Sequence, residues 1–227
     1  MDYIRITREN IDKEHICCAM SGKQSLAKKE WLKQRFDEGL VFYRSQERGK
    51  CFIEYLPAEN AWVPIQAEGW LYIDCLWIAG AMKGHGYAND LLEECIRDAR
   101  AQGKKGLCIL SAEGRKREFL ADPKFLAHKG FALADTSDCG ITLMYLPLDP
   151  AAAPPQFREC ARHPMTQGEG FVLLLYRPVS LHLLLGPPGG AGRQRTGHPL
   201  PGDPYHRPGS RPERPRAGDH LRPVPGR

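Results

Sequence analysis

Six consecutive residues, Lys83-Gly84-His85-Gly86-Tyr87-Ala88, gather two glycines, a lysine and a histidine between an apolar run, Trp70 to Ile78, and an amphipathic one, Asp90 to Gln102. The first run predicts a strand and the second a helix, so the glycines fall in the turn that opens the helix. A helix N-terminus carries unpaired N–H groups and a partial positive charge, and glycine lets a ligand approach that backbone closely. The chemistry on offer is the cradling of a phosphate. Glycines can also make a tight turn with nothing bound, so the elements around the turn must decide.

Those elements run in a readable order. Tyr3–Ile6 alternates as a short strand. Helices are expected around Lys13–Met20 and over Leu26–Glu38, the second starting after Ser25 and stopping at Gly39. Leu40–Ser45 and Lys50–Leu56 form a hairpin about Gln46–Gly49. In Trp70–Ile78 both faces are mostly apolar, with Leu71, Ile73, Cys75 and Trp77 expected one way and Tyr72, Asp74, Leu76 and Ile78 the other. Such a strand is central and covered on both sides. The helix after the turn has a stripe of Leu91, Leu92, Cys95, Ile96 and Ala99, and Gly103 ends it. Gly106–Ser111 is a buried strand, Pro123–Lys129 a short helix, and a last strand pair ends at Ile141–Leu148. The expected fold is α/β (α+β), a mixed and mostly antiparallel central sheet flanked by helices on both faces.

Bulk properties narrow the partners. The net charge of +5 lies entirely in residues 187–227, because residues 1–186 balance 24 Lys+Arg against 24 Asp+Glu. The body of the chain therefore gives no case for nucleic acid or an anionic membrane. The eight cysteines form no Cys-x-x-Cys, and Cys160-x-x-His163 is a lone half-site, so no metal is expected. No signal segment is visible at the start and no run spans a bilayer, which together predict a cytoplasmic protein with free thiols. The sequence does not set the oligomeric state.

Three phosphate-binding turns compete. The P-loop pattern Gly-x-x-x-x-Gly-Lys-Ser/Thr is absent. A dinucleotide turn wants Gly or Ala where Asn89 stands, and an opening βαβ unit where antiparallel strands stand here. The third pattern, Arg/Gln-x-x-Gly-x-Gly/Ala at a strand–helix junction, fits with Lys83 in the Arg/Gln place. In this order of elements, with Lys129-Gly130-Phe131 after the next helix, residues 1–148 resemble the GNAT superfamily of acetyl-CoA-dependent N-acetyltransferases. The stretches Gly-His-Gly-Tyr-Ala-Asn-Asp-Leu-Leu, Gly-Leu-Cys-Ile-Leu-Ser and Asp-Pro-Lys-Phe-Leu-Ala-His-Lys-Gly-Phe look like its YoaP-like subgroup.

The resemblance implies that acetyl-CoA is the co-substrate and that N–H groups of Gly84, Gly86, Tyr87 and Ala88 hold its pyrophosphate, with Lys83 and His85 in the same turn. It implies that Leu76-Trp77-Ile78 bonds the pantetheine arm as a pseudo-strand, an N–H near Ile78 polarising the thioester carbonyl. The acceptor implied is a primary amine of a small molecule or peptide.

Acetyl transfer also needs a proton acceptor and a proton donor. Asp74 is a candidate base because a carboxylate on a central strand needs a reason, which a satisfied structural role would also supply. Glu54, Glu68 and water relays stay open. Many members of the superfamily place a tyrosine donor where Leu126 stands; His128 lies two residues on and Tyr87 is also available. Trp62, Trp70, Trp77 and Tyr72 supply aromatic mass for core or substrate. The missing tyrosine leaves an acyl-CoA-sensing module without catalysis as the alternative function.

The chain changes character at its end. Residues 187–227 hold 10 Pro, 8 Gly and 8 Arg with no Lys, Ile, Phe or Trp, a composition expected to be disordered. Residues 149–173 are expected as a linker and the start of a C-terminal extension, and 174–227 as a disordered, frameshifted remnant. Read one nucleotide later, the DNA of Tyr176–His182 permits Thr-Asp-Gln-Cys-Pro-Phe-Thr, similar to the start of the smaller, thioredoxin-like domain that follows the acetyltransferase in the YoaP-like subgroup.

Overall fold

The computed structural model describes residues 1–16, 22–112 and 120–162. One sheet of seven strands has the spatial order β1 (Tyr3–Ile6), β2 (Val41–Ser45), β3 (Cys51–Pro57), β5 (Leu71–Ile78), β6 (Gly106–Ala112), β8 (Ile141–Pro147), β7 (Ala132–Thr136). A two-stranded sheet pairs β4 (Ile65–Gln66) with β9 (Gln156–Phe157). The neighbours β5 and β6 are parallel, and every other pair is antiparallel. The helices are α1 (Gly22–Phe36), α2 (Tyr87–Ala101), α3 (Pro123–His128) and the single turn α4 (Glu159–Arg162). No helix among the described residues is long and apolar enough to cross a membrane.

The large sheet separates two cores. On one side Leu32 of α1 packs with Phe42, Phe52, Leu56, Trp70 and Tyr72. On the other, Leu91, Leu92, Cys95 and Ala99 of α2 and Leu126 of α3 pack with Ile53, Tyr55, Ile73 and Leu107. Burial on both faces is why the central strands read as continuous apolar runs. The two rings Phe42 and Phe52 stack on neighbouring strands with centroids 5.2 Å apart. Helix α3 opens on Asp122, whose side chain accepts from the Lys124 N–H at 2.8 Å, with Pro123 at its first position.

Two sequence expectations are corrected. The described part of the Lys13–Met20 region is turn rather than helix; residues 17–20 lie outside the described residues. Asn10 explains the difference: its Oδ1 accepts from the Thr7 N–H at 2.8 Å, its Nδ2 donates to Arg5 O, and its carbonyl accepts from Lys13 and Glu14. Local side-chain bonds of this kind compete with a helix, and here they tuck Ile11 and Ile16 into the core.

The second correction concerns β5. The alternation expected along Trp70–Ile78 breaks at Asp74, where the register against β3 shifts: Tyr55 faces Ile73, Glu54 faces Cys75, and Asp74 is the extra residue of a β-bulge. Tyr72, Cys75 and Trp77 consequently line the α1-side core, while Leu71, Ile73, Leu76 and Ile78 line the α2-side core.

Residues 149–162, the described part of the expected linker and start of a C-terminal extension, hold β9 and α4. Phe157 enters the α1-side core, and Arg158 donates through its N–H to Pro64 O and through Nε to Ile65 O. Asp135 accepts from Arg162 at 2.7 Å and from the Phe157 N–H at 2.9 Å. Burial pushes the Asp135 carboxyl up, but these bonds and that from the Thr136 N–H outweigh it and hold it below the usual range. The expected tail, 174–227, lies outside the described residues.

Candidate active site

The turn ahead of α2 is built from backbone conformations open to glycine. Gly84 has φ 84°, and Gly86, the N-cap of α2, has φ 81° and ψ −2°. A Cβ on Gly84 would meet nothing within 4 Å, so it is the left-handed φ and not crowding that favours glycine there. No side chain caps α2. Lys83, Gly84, His85 and Gly86 are exposed, and Tyr87 and Ala88 are half-buried. His85 stacks on Tyr87 with centroids 5.4 Å apart. The N–H groups of the first turn of α2 and the positive end of its dipole therefore meet solvent directly, which suits an anion.

The helix is held firmly behind that turn. Its apolar stripe is buried, the Tyr55 hydroxyl donates to Asp98, and the Tyr3 hydroxyl donates to Asp90 at 2.9 Å. Burial, then the bond to each aspartate, pushes both phenols up, which keeps them as donors.

In front of the turn the sheet divides. The β5–β6 pairing covers Leu71–Ile73 against Leu107–Ile109 and ends there. Beyond it β5 continues to Ile78 along β3, and β6 continues to Ala112 along β8. From Asp74 to Ile78, on the way to the glycine turn, β5 is therefore not paired with β6 among the described residues. Leu76, Trp77 and Ile78 lie on that stretch, half-buried, with Lys50 Nζ 5.0 Å from the Trp77 ring centroid.

Asp74 stands where the strands part. Its carboxyl meets Glu54 of β3 and feels Lys28 and Arg35 of α1. Lys28 Nζ, almost fully buried, lies 2.8 Å from Glu54 Oε1 and 3.8 Å from the Trp31 ring centroid. Arg35 is sandwiched near Trp31 and Trp62, pairs with Glu38 and donates to Asn60 O. Burial drives the Asp74 carboxyl well above the ordinary range; Glu54 adds to the rise and Lys28 and Arg35 oppose it. Asp74 Oδ2 and Glu54 Oε2 are both sealed from solvent and accept from no described donor. The neighbouring Glu54 carboxyl thereby favours the protonated form of Asp74.

The structure thus brings the glycine turn, the Leu76–Ile78 edge and Asp74 onto one strand–turn–helix unit. His128 is elsewhere, exposed in the last turn of α3, and Leu126 is fully buried. Sequence reasoning missed Lys28 and Arg35, although a signal was there: positions 28, 31, 32 and 35 share one helix face, and two of the four are cations on the face that packs inward.

A mixed sheet whose β5–β6 pairing ends ahead of a glycine-opened helix is an open α/β architecture. No family model matches the chain. Over 177 residues it is 45% identical to the uncharacterized N-acetyltransferase YoaP of Bacillus subtilis (strain 168), covering 76% of this chain and 70% of that one. Similar solved structures include a GNAT-family acetyltransferase from Desulfovibrio desulfuricans, 15% identical, with 64% of this chain and 98% of that one covered at a TM-score of 0.45. Another is a GNAT-family acetyltransferase from Brucella melitensis in complex with acetyl-CoA, 15% identical, with 69% and 92% covered at a TM-score of 0.43. The chain belongs to the YoaP-like N-acetyltransferases.

Proposed function

We propose that the protein moves the acetyl group of acetyl-CoA to a primary amine of a small molecule or peptide, directly, within a ternary complex. One observation carries the reading: the β5–β6 pairing ends ahead of Asp74, and β5 runs on to an uncapped helix N-terminus. In this reading the pyrophosphate sits on the N–H groups of Gly84, Gly86, Tyr87 and Ala88, flanked by Lys83 and His85. The pantetheine arm extends the sheet along Leu76–Ile78, and an N–H near Ile78 polarises the thioester carbonyl. The amine nitrogen attacks the acetyl carbon, the new C–N bond forms, and the C–S bond breaks with its electron pair leaving on sulfur. Asp74, ionised, takes the amine's proton. A carboxyl whose pKa is raised holds an accepted proton more readily, which suits it to that task.

The thiolate then needs a proton. Leu126, buried and apolar, cannot supply it. Water is the proposed donor, with His128, exposed on α3 apart from the strand–turn–helix unit, as the alternative: a pH profile unchanged in His128→Gln assigns the proton to water. The buried Leu126 also favours a second reading, an acyl-CoA-sensing module without turnover. Thiol release from acetyl-CoA over a panel of polyamines, lysine peptides and amino sugars separates the two. Turnover with any amine, lost in Asp74→Asn, supports the enzyme; acetyl-CoA binding with no release over the whole panel supports the sensor.

We further propose that residues from about 174 derive from a shifted reading frame. The match to YoaP covers 76% of the chain, about the share that residues 1–173 make up. Resequencing tests this, and an unbroken frame encoding the same tail in independent isolates sinks it.

A further inference from the structure

Asp74 does not act alone in the split, because side chains from three elements converge on it. Helix α1 sends Lys28 and Arg35 inward, β3 sends Glu54, and the β5 bulge turns Asp74 to meet them. Strand β6 presents Cys108 to the same core, its thiol pushed up by burial. Among these groups the Lys28 ammonium lies 2.8 Å from Glu54 Oε1, and Glu54 stands across from the bulge that carries Asp74, whose carboxyl it pushes up. Trp31 backs the ammonium with its ring face, so Lys28 is held between an anion and a π-system rather than by solvent.

We propose that Lys28, acting through Glu54, is a positioning residue that sets when Asp74 can take up a proton. The proposal rests on the reading of Asp74 as the base, and deepens it. Two carboxyls in one buried site resist ionising together, and a cation on one of them eases loss of the other's proton. Lys28 is placed to do this from Glu54 Oε1, where its ammonium sits at 2.8 Å. It lowers the pH at which Asp74 becomes a free carboxylate, and Glu54 raises it. Arg35 contributes in the same sense as Lys28, but its guanidinium is already engaged by Glu38 and Asn60 O. The device explains why a lysine is buried on the inward face of α1. Placed there, it works as one end of a row of coupled charges whose other end lies where β5 and β6 part.

The test needs neither acetyl-CoA nor an acceptor. The full chain is prepared with 13C-labelled aspartate and glutamate carboxyls, and their chemical shifts are followed against pH, Asp74→Asn identifying the Asp74 resonance by its loss. Wild-type Asp74 is expected to titrate above the ordinary aspartate range. Lys28→Met should move its midpoint to higher pH, Glu54→Gln to lower pH, and Lys28→Arg, which keeps the charge, should leave it near the wild-type value. A packing role alone would not produce shifts of opposite sign. If Lys28→Met does not fold, the Glu54→Gln and Lys28→Arg arms decide. The proposal is overturned if wild-type Asp74 titrates as an ordinary aspartate, if Glu54→Gln fails to lower its midpoint, or if Lys28→Arg shifts it as far as Lys28→Met. Should the titrations behave as expected while Asp74→Asn still transfers acetyl groups at the wild-type rate, the charge coupling stands and the assignment of Asp74 as base falls.

Discussion

At the α2 end of β5 the working groups are main-chain amides of consecutive residues, open to solvent and shaped by Gly84 and Gly86. At the bulge of the same strand they are side chains drawn from α1, β3 and β5, with Lys28 and Glu54 buried and Asp74 Oδ2 sealed from solvent. The two regions face different costs. Exposed amides at a helix end remain hydrated until a ligand arrives, so the turn needs only the right dihedral angles. Buried carboxyls must be neutralised by a proton or a cation, so the cluster needs every member present. The donor-binding region should therefore tolerate loss of any single side chain and fail on a backbone change, whereas the buried region should respond to each side chain.

Substituting Asp74 gives the largest expected effect. Asp74→Asn should lower acetyl transfer by about 10²–10⁴-fold, the range for removing a general base, while stabilisation by acetyl-CoA stays at the wild-type level. A fall in both would merge the two regions into one and break the comparison. Gly86→Glu should do the opposite. It forces a side chain into a left-handed N-cap, at about 1–2 kcal/mol, and puts a negative charge where the pyrophosphate belongs. Wild-type protein at a tenfold excess of acetyl-CoA over Kd gains about 1.4 kcal/mol, and the variant should show none of it in a thermal melt.

The pH dependence of stability sharpens the contrast next. The folded state holds a proton on Asp74 that the unfolded chain has released above the usual aspartate pKa. Stability is therefore lost as pH rises from that value through the raised folded pKa. Denaturant midpoints measured across that window should decline in the wild type and stay flatter in Asp74→Asn; parallel curves would deny the buried proton. Lys83→Met should have the smallest effect, weakening acetyl-CoA binding by at most about fivefold and making it less sensitive to salt, since the lysine is exposed and the amides do most of the holding.

The same difference governs what could be read from sequence. The glycine turn is local: Gly84 and Gly86, the strand before them and the amphipathic helix after them lie within about thirty residues, and period and turn chemistry identify each. The strand–turn–helix–strand succession was equally visible, because Trp70–Ile78 and Gly106–Ser111 are apolar runs flanking one helix. The bulge was not. Inserting one residue leaves no trace in an alternation pattern that is apolar on both faces, so Cys75 and Trp77 were assigned to the wrong side. Lys28 and Glu54 are 26 residues apart and meet only through the tertiary fold. Asn10 was hidden for another reason, since its side-chain bonds replace a helix that the residues after it would otherwise favour.

A crystal structure of the full chain with acetyl-CoA tests the account most directly. The pyrophosphate is expected on the amides from Gly84 to Ala88, the pantetheine arm between β5 and β6, and the thioester carbon on the side of β5 that carries the Asp74 carboxyl. Acetyl-CoA bound away from the split, or its thioester screened from Asp74 by β5 itself, would contradict it.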